Sequence, residues 1–299
     1  MQNDPGVTVY NPLQLGFPPD RLDPVSQRAG RLLDVIDVLR PFEDALGVSQ
    51  SREEYRFHAE RIARDFAVPG WVQGRINLVE AAVLDLFVRV LRPEVIVEVG
   101  VASGVSSAAL LSSLSSLGAS STARLHSYDI MTHCYFDGDR AVGEATGEMV
   151  PSLVKDQRLV RGGARTASDE LPARSVPLAF IDANHGHPAP TADLIDLAPC
   201  LAPGAWVVLH DVHLSRVMLE RDPLSERQVY GVEVLFDAWP GLKAQGVRFS
   251  RNIGAIRVDD PEAVTPESLR GVIDLHWEPI ADSAHVRRTL GREPMRHPV

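Results

Sequence analysis

The sequence predicts an α/β fold in which helices cover both faces of a doubly wound, mostly parallel sheet. Short apolar runs rich in Val, Ile and Leu alternate with longer segments of helical character, as expected for strands joined by crossover helices. Apolar runs also end in or beside an acid, at Glu98, Asp129, Asp182 and Asp211. Ligands of such sheets bind at the carboxyl ends of the strands, so we expect a polar site there.

The overall composition is that of an ordinary globular protein. The net charge and the apolar pattern limit the kinds of partner that we expect it to bind. A chain of 299 residues with a formal charge of −10 lacks the basic face that nucleic-acid binding requires. Residues 1–16 lack the basic and apolar regions of a signal peptide, and no apolar run approaches the roughly 18 residues of a membrane span. We therefore expect a cytoplasmic protein that binds neither nucleic acid nor a membrane.

Three segments are predicted along the chain. Residues 1–75 form a helical extension that caps the site or makes a subunit contact, residues 76–258 form the sheet domain, and residues 259–299 form a tail packed on that domain, with Trp277 as its anchor. Helical spacing predicts helices over about 26–39, 51–66 and 77–91. The two cysteines, Cys134 and Cys200, are far apart and form no C-x-x-C pair, so we interpret them as buried thiols.

A strand followed by a glycine loop organises the rest of the sequence. The run over 95–99 predicts a buried strand, and Gly100 and Gly104 then precede an Ala/Leu/Ser segment with helical character. Such a loop lets the backbone approach a ligand closely and directs a helix N-terminus at it. The spacing Glu98-x-Gly100-x-x-x-Gly104 is neither the dinucleotide fingerprint nor the phosphate loop.

The second strand, predicted over 123–129, ends in Asp129. An acid at this place in the sheet can accept hydrogen bonds from the two hydroxyls of a ribose. An exposed acid in a turn remains the alternative. Further strands are predicted over 159–164, 176–182 and 205–211, then a helix over 229–239. The alternating segments 247–250 and 253–258 predict an antiparallel pair at the sheet edge.

The acids Asp182 and Asp211 end consecutive predicted strands, which places their carboxylates side by side. Two such carboxylates repel each other unless a positive charge lies between them, and a hard cation such as Mg²⁺ accepts oxygen ligands. The cation would acidify a substrate hydroxyl, and His185 is placed to take its proton. A polar pair formed by His185 and His187 is the alternative.

These motifs resemble a known enzyme family. The pattern Glu98-x-Gly100-x-x-x-Gly104 resembles the first motif of class I methyltransferases that depend on S-adenosylmethionine (SAM). The pair Asp182-x-x-His185 and His210-Asp211 resembles the metal-dependent O-methyltransferases that act on natural-product sugars. The resemblance implies a Rossmann-like, seven-stranded sheet, Mg²⁺ held by the acids after strands four and five, and the histidine after strand four as base.

The resemblance also implies roles for individual residues. Cofactor binding is assigned to Glu98, Gly100, Ala102, Ser103, Gly104, Ser106, Asp129, Ala164, Arg165 and Asp182. Metal binding is assigned to Asp182, Asp211 and His210, and catalysis to His185 and Asp182. His210 stands where the sugar enzymes have a carboxylate, so it is a metal ligand, a group behind the ligands, or a residue packed near Asp211. The candidate substrate residues are His133, Tyr135, His187 and His213.

The function predicted is transfer of a methyl group from SAM to a hydroxyl of a small molecule, a secondary metabolite or a sugar, assisted by a divalent metal and a histidine base. Two alternatives stay open. One is a metal-independent small-molecule methyltransferase with His185 as base, and the other is a subunit that binds SAM or a nucleoside without catalysis. We expect a homo-oligomer, a dimer formed through the helical extension.

Overall fold

A computed structural model describes residues 24–34, 36–118, 124–221, 230–275 and 283–290. Residues 1–23 of the predicted extension and the predicted anchor Trp277 lie outside these ranges. Among the described residues, no helix combines the length and the apolar character needed to cross a bilayer.

Within residues 24–34 and 36–94, four α-helices precede the first described strand: α1 (Pro24–Asp34), α2 (Arg40–Leu46), α3 (Arg52–Asp65) and α4 (Leu78–Leu91). The sequence explains where they begin. Ser51 and Glu54 form a reciprocal capping box at α3, and Asn77 and Glu80 form another at α4. In each box two backbone N–H groups that lack a partner in the helix find one in a side chain.

The remaining elements alternate between strands and helices. In chain order they are β1 (Val95–Val99), α5 (Val105–Ser115), β2 (Arg124–Asp129), β3 (His133–Cys134), β4 (Asp137–Ala141), α6 (Glu144–Met149), β5 (Gln157–Arg161), α7 (Ala164–Glu170), β6 (Val176–Ile181), α8 (Ala189–Leu197), β7 (Leu201–His210), α9 (Leu214–Arg221), α10 (Gly231–Ala238), β8 (Lys243–Gln245), β9 (Ile253–Val258), α11 (Arg270–Ile273) and α12 (Ser283–Leu290).

Seven of the strands form one sheet in the order β5-β2-β1-β6-β7-β9-β8. The pairs from β5 to β7 are parallel, and β9 runs antiparallel to both β7 and β8. Because the order reverses on either side of β1, the carboxyl ends of β1, β2 and β6 meet at one edge beside a crevice. The predicted doubly wound sheet with an antiparallel end is confirmed.

The edge strand predicted at 247–250 is wrong. The edge strand is Lys243–Gln245 rather than 247–250, and Arg248–Ser250 forms a single 3-10 turn. The chain reverses at Gly246 so tightly that a Cβ there would lie 1.9 Å from the backbone oxygen of Ser250. The alternating Val-Arg-Phe-Ser segment therefore cannot continue as a strand, and Phe249 packs against the core instead.

The segment between β2 and β5 contains an unpredicted hairpin and a short helix. Strands β3 and β4 pair antiparallel, with His133 opposite Ala141 and Cys134 opposite Asp137. Strand β5 begins at Gln157 and ends at Arg161, because Ala164 already belongs to α7. Both Cys134 and Cys200 are buried, as predicted.

Apolar cores lie on both faces of the sheet. On one face α4 is buried from Leu78 to Val88, because α1, α2 and α3 cover its outer side and the sheet covers its inner side. A helix that is apolar all round requires this kind of double cover. On the other face the core is built by α7, α8, α10 and α12.

Glu98 joins three elements beneath the carboxyl edge of the sheet. Its carboxylate is fully buried and accepts hydrogen bonds from the hydroxyls of Ser106 and Ser107 on α5 and of Ser127 on β2, each at 2.6 Å. Burial raises the pKa of Glu98 to about 6, although the three hydroxyls oppose the shift. The side chain therefore fixes the start of α5 against β1 and β2.

We expect Glu98→Gln to remove a pH dependence of stability. The pKa of Glu98 is 4.5 in the unfolded chain and about 6 in the folded protein. Between pH 4.5 and 6, therefore, Glu98 is mainly protonated in the folded protein and mainly ionised in the unfolded chain. Wild-type stability then falls by up to about 2 kcal/mol as the pH rises through the window. Urea unfolding from pH 4 to 7 measures the difference between variant and wild type, and Glu53→Gln, an exposed change, is the control. A difference that does not vary with pH would contradict the shifted pKa.

Candidate active site

The glycine loop between β1 and α5 is shaped by two positions that only glycine fits. Gly100 has φ +87° and Gly104 has φ +92°, in the left-handed region that side chains disfavour. A Cβ at Gly100 would lie 2.1 Å from the backbone oxygen of Asp182, and a Cβ at Gly104 would lie 2.8 Å from Cα of Gly143. The glycines therefore let the loop pass close to the end of β6 and to the start of α6.

Asp129, the last residue of β2, holds the same loop. Its Oδ2 accepts hydrogen bonds from the backbone N–H groups of Val101 and Ala102 at 2.9 and 3.0 Å, and its Oδ1 accepts one from Met131 at 2.8 Å. A carboxylate has about four acceptor positions, so Oδ1 keeps capacity for a further donor. The predicted ribose acid thus lies beside the glycine loop.

The unpredicted hairpin and helix α6 support the loop from its other side. Gly143 and Ala145 donate backbone hydrogen bonds to the carbonyls of Ala102 and Ser103, each at 2.9 Å. The hydroxyl of Thr146 donates to the carbonyl of Gly104 at 2.9 Å. The loop is therefore fixed between Asp129 on one side and the 143–146 segment on the other.

The other residues predicted to bind the cofactor are buried or paired with other side chains. Ser106 donates a hydrogen bond to the carboxylate of Glu98 below the loop, and Ser103 is buried. Ala164 is buried at the start of α7, and Arg165 is exposed and paired with Asp169 at 3.1 Å. The structure brings Gly100, Ala102, Gly104 and Asp129 together at the carboxyl edge, and leaves the carboxylate of Glu98 beneath it.

Asp182, His185 and Asp211 form one cluster at the same edge. Nε2 of His185 lies 3.1 Å from Oδ1 of Asp182, and its Nδ1 lies 3.2 Å from Oδ2 of Asp211. The side chain of His185 is 32% exposed, so it is also accessible from the crevice. One donor atom from each of these three residues lies within 4.8 Å of the other two, a spacing that a metal ion could bridge.

His210 lies beside Asp211, one of the alternatives for this residue, with its Nδ1 3.5 Å from Oδ1 of Asp211. Its Nε2 lies 3.3 Å from Oε2 of Glu80 on α4, and its Nδ1 lies 3.3 Å from Oδ1 of Asp182. Its side chain is only 9% exposed. His210 therefore lies among the carboxylates of Glu80, Asp182 and Asp211, and Glu80 links helix α4 to the site.

The charges of these groups shift one another's pKa values. Burial opposes ionisation of Asp182, yet His210 and His185 hold its pKa well below the usual range. Burial also disfavours charged imidazoles, but Asp182 and Asp211 raise the pKa of His185, and these two acids with Glu80 raise the pKa of His210 well above its ordinary value. The ionised form of Asp182 and the protonated forms of His185 and His210 thus favour one another.

Asn252 is a second residue at the site that the sequence interpretation missed. Its side-chain Nδ2 donates a hydrogen bond to Oδ1 of Asp211. Asp211 has φ +63°, an uncommon backbone conformation for a residue with a side chain. The hydrogen bond from the loop before β9 helps to hold it there.

The sequence contains only a partial signal for these two residues. The spacing Asn77-x-x-Glu80 before an apolar run is the mark of a capping box, but it does not reveal that Glu80 also meets His210. Asn252 lies between two predicted strands and carries no motif. Both contacts depend on how distant segments pack.

The four candidate substrate residues lie in different environments. Tyr135 is 70% exposed, and its hydroxyl end lies against Gly74. Burial raises the pKa of Tyr135, and the negative charges of Asp182 and Asp211 add to this shift. His133 is exposed and contacts Thr132, His187 is fully buried, and His213 is half-buried before α9.

Aromatic side chains around Tyr135 join the hairpin to the segment before α4. The rings of Tyr135 and Phe136 meet edge to face at 5.1 Å, and the ring of Phe136 lies 6.4 Å from that of Trp71. The guanidinium of Arg140 lies 4.7 Å above the Trp71 ring, and the indole N–H donates to Glu148 at 3.1 Å. We call Trp71, Tyr135 and Phe136 the aromatic wall.

We expect Gly100→Ala to destabilise the fold. The new Cβ would meet backbone atoms of Asp182 and Ala183 at 2.1–2.7 Å, and these cannot move without shifting β6. Overpacking of this kind costs roughly 1–3 kcal/mol. Gly147→Ala is the matched control, since nothing lies within 4 Å of its Cβ. Chemical denaturation checks both, and equal stabilities would contradict the described loop.

Comparison with known proteins gives a family match and several structural similarities. Residues 97–212 match the family described as methyltransferase domain, a segment that contains the glycine loop, Asp129 and the Asp182–His185–Asp211 cluster. No curated protein matches the chain.

The similar solved structures include three bacterial proteins. A cofactor-bound protein from MTB is 13% identical, over 81% of this chain and 100% of that chain, with a TM-score of 0.47. The O-methyltransferase TomG from Streptomyces achromogenes, involved in tomaymycin synthesis and solved with SAM, is 18% identical over 66% and 86%, with a TM-score of 0.44. An O-methyltransferase from Bacillus cereus, solved with SAH, is 18% identical over 78% and 99%, with a TM-score of 0.42.

Likenesses at this level say nothing about the substrate of this chain. The family match, by contrast, covers the segment in which the glycine loop, Asp129 and the cluster lie. Residues 97–212 are thus similar to the methyltransferase domain family.

Proposed function

We propose that the chain is an O-methyltransferase that transfers the methyl group of SAM to a hydroxyl of a small-molecule acceptor. The observation that carries the proposal is the Asp182–His185–Asp211 cluster, which lies at the same sheet edge as the glycine loop and Asp129. A methyl donor and a proton-accepting group thus have places side by side. A secondary metabolite or a sugar is the acceptor class that the resemblance implies.

The cofactor would lie across the glycine loop. Oδ1 of Asp129 retains capacity for a ribose hydroxyl, and the left-handed glycines let the backbone approach the cofactor closely. Because Asp129 also accepts hydrogen bonds from Val101 and Ala102, binding of the ribose and the shape of the loop depend on one carboxylate.

The reaction requires deprotonation of the acceptor hydroxyl. His185 is exposed enough to meet the acceptor, and Asp182 and Asp211 stabilise the imidazolium that forms when it takes the proton. The acceptor oxygen then bonds to the methyl carbon while the carbon–sulfur bond breaks, and the electron pair of that bond stays on sulfur to give S-adenosylhomocysteine. The protein supplies orientation and excludes water. A bound divalent cation would supply further acidity to the hydroxyl.

The aromatic wall suits the acceptor. The exposed ring of Tyr135 lies near the negative charges of the cluster, and Phe136 and Trp71 support it. An aromatic face packs against a flat ring or against the apolar face of a sugar. The carboxylates of Asp182 and Asp211 disfavour an acceptor that carries negative charge near its hydroxyl.

Calorimetry with SAM tests the cofactor assignment. Wild type is expected to bind SAM, and Asp129→Asn to bind it at least about tenfold more weakly. Asn has one acceptor oxygen where Asp has two, so it cannot accept from the Val101 and Ala102 N–H groups and also from Met131 and a ribose hydroxyl. Asp139→Asn, an exposed change on the hairpin, serves as the control. If wild type binds no SAM, the methyltransferase proposal fails.

His185→Gln tests the catalytic assignment in a panel of hydroxylated acceptors. The variant should still bind SAM, yet its kcat should fall by roughly 10²–10⁴-fold with the loss of general base catalysis. SAM bound with no methyl transfer to any acceptor in wild type would favour the non-catalytic alternative.

Tyr135→Ala tests the place of the acceptor. The change should raise KM for the acceptor several-fold while the affinity for SAM stays the same, because the ring lies on the acceptor side of the cluster. Phe57→Ala is the matched control, since Phe57 is 69% exposed on α3. Equal KM values for both variants would remove the aromatic wall from the acceptor site.

A further inference from the structure

The capping box at the start of α4 also has contacts outside its own helix. Oδ1 of Asn77 accepts hydrogen bonds from the N–H groups of Val79 and Glu80 at 2.8 and 3.1 Å. Oε2 of Glu80 accepts the Asn77 N–H at 2.7 Å. These bonds use only part of each side chain, because Nδ2 of Asn77 and Oε2 of Glu80 each meet a further residue from a distant part of the chain.

Glu80 begins one path of contacts that leads to His185. Its Oε2 lies 3.3 Å from Nε2 of His210, whose Nδ1 lies 3.3 Å from Oδ1 of Asp182. The same Oδ1 of Asp182 lies 3.1 Å from Nε2 of His185. Both Glu80 and His210 are buried, so these two side chains have no room to turn out into solvent. The first path therefore ends at the Nε2 side of the His185 ring.

Asn77 begins a second path that reaches the other side of the same ring. Its Nδ2 donates a hydrogen bond to the carbonyl of Phe249 at 3.0 Å, across 172 positions of the chain. Phe249 lies in the 3-10 turn that leads to Asn252, and Nδ2 of Asn252 donates to Oδ1 of Asp211. Oδ2 of Asp211 lies 3.2 Å from Nδ1 of His185. The two paths therefore start from one capping box and meet at one imidazole.

We propose that Asn77 and Glu80 are positioning residues for His185, each acting on a different nitrogen of its ring. The inference rests on the proposed function, in which His185 takes the proton of the acceptor hydroxyl. An imidazole between two fixed carboxylates keeps one ring plane, and proton transfer to it depends on that geometry. The start of α4 orients the base from behind the cluster.

Two substitutions interrupt the paths one at a time. Glu80→Met fills a similar volume but has no oxygen with which to begin the first path, whereas Glu80→Gln keeps one. Asn77→Ser keeps an oxygen that caps the helix, but its side chain is too short to reach the carbonyl of Phe249. Glu54→Met is the matched control, because Glu54 closes the equivalent capping box on α3.

NMR of the full chain labelled with ¹⁵N-histidine measures the ring directly, without SAM or acceptor. His185→Gln identifies the signals of His185 among the ten histidines. Glu80→Met should shift mainly the Nε2 signal of His185, and Asn77→Ser mainly the Nδ1 signal, while Glu80→Gln should restore most of the wild-type Nε2 position. Signals that stay in place in both path variants, or that shift as far in Glu54→Met, would overturn the proposal.

Kinetics and calorimetry on the same variants separate this inference from the proposed function. With an acceptor that wild type methylates, Glu80→Met and Asn77→Ser should lower kcat at least about tenfold, because a misplaced base loses rate. The KM of the acceptor and the affinity for SAM should stay unchanged. An unchanged kcat would overturn the positioning role alone. A wild type that binds no SAM would overturn the proposed function, and the His185 signals would still report the two paths.

Discussion

The contact between His210 and Glu80 joins the helical start of the chain to the reactive edge of the sheet. Glu80 caps α4 and at the same time faces a histidine at the end of β7. Without a positive partner, the carboxylates of Glu80, Asp182 and Asp211 would repel one another in a poorly solvated place. Imidazoles between them allow three acids to stay close together. The position of α4 and the geometry of the cluster are therefore set by the same charges.

Because of this contact, the helical segment before β1 is part of the packed structure and not a separate cover over it. Helix α4 is buried on all sides between the sheet and α1, α2 and α3, and its N-terminus reaches the site through Glu80. Trp71, just before α4, adds a contact to the hairpin through Phe136. The segment thus contributes to the core, the charge balance and the aromatic wall at once.

The sequence was sufficient for the parts that follow local rules. The buried runs at β1, β6 and β7 have the composition of strands covered on both faces, and the positive φ of Gly100 and Gly104 accounts for the glycine spacing of the loop. Since parallel strands end at one edge, Asp182 and Asp211 could be placed side by side before any coordinates. His185 was placed near them by its short distance along the chain.

The parts that failed depend on contacts between distant segments. The contact of His210 with Glu80, which precedes it by 130 positions, was not predicted, because no local pattern reports that pairing. The strand expected at 247–250 has suitable alternation, but the turn at Gly246 against Ser250 prevents it. The two-residue strand β3 is too short for periodicity to reveal.

Under the proposed function, the insertion between β2 and β5 has a consequence for changing the acceptor range. Its tip carries Tyr135 and Phe136, whereas its base, from Gly143 to Thr146, is hydrogen-bonded to the carbonyls of the glycine loop. A transplant of the whole insertion from another protein would therefore disturb cofactor affinity together with selectivity. Exchange of the tip alone leaves the base in place, so the hairpin divides into a part open to redesign and a part that evolution of new specificity must preserve.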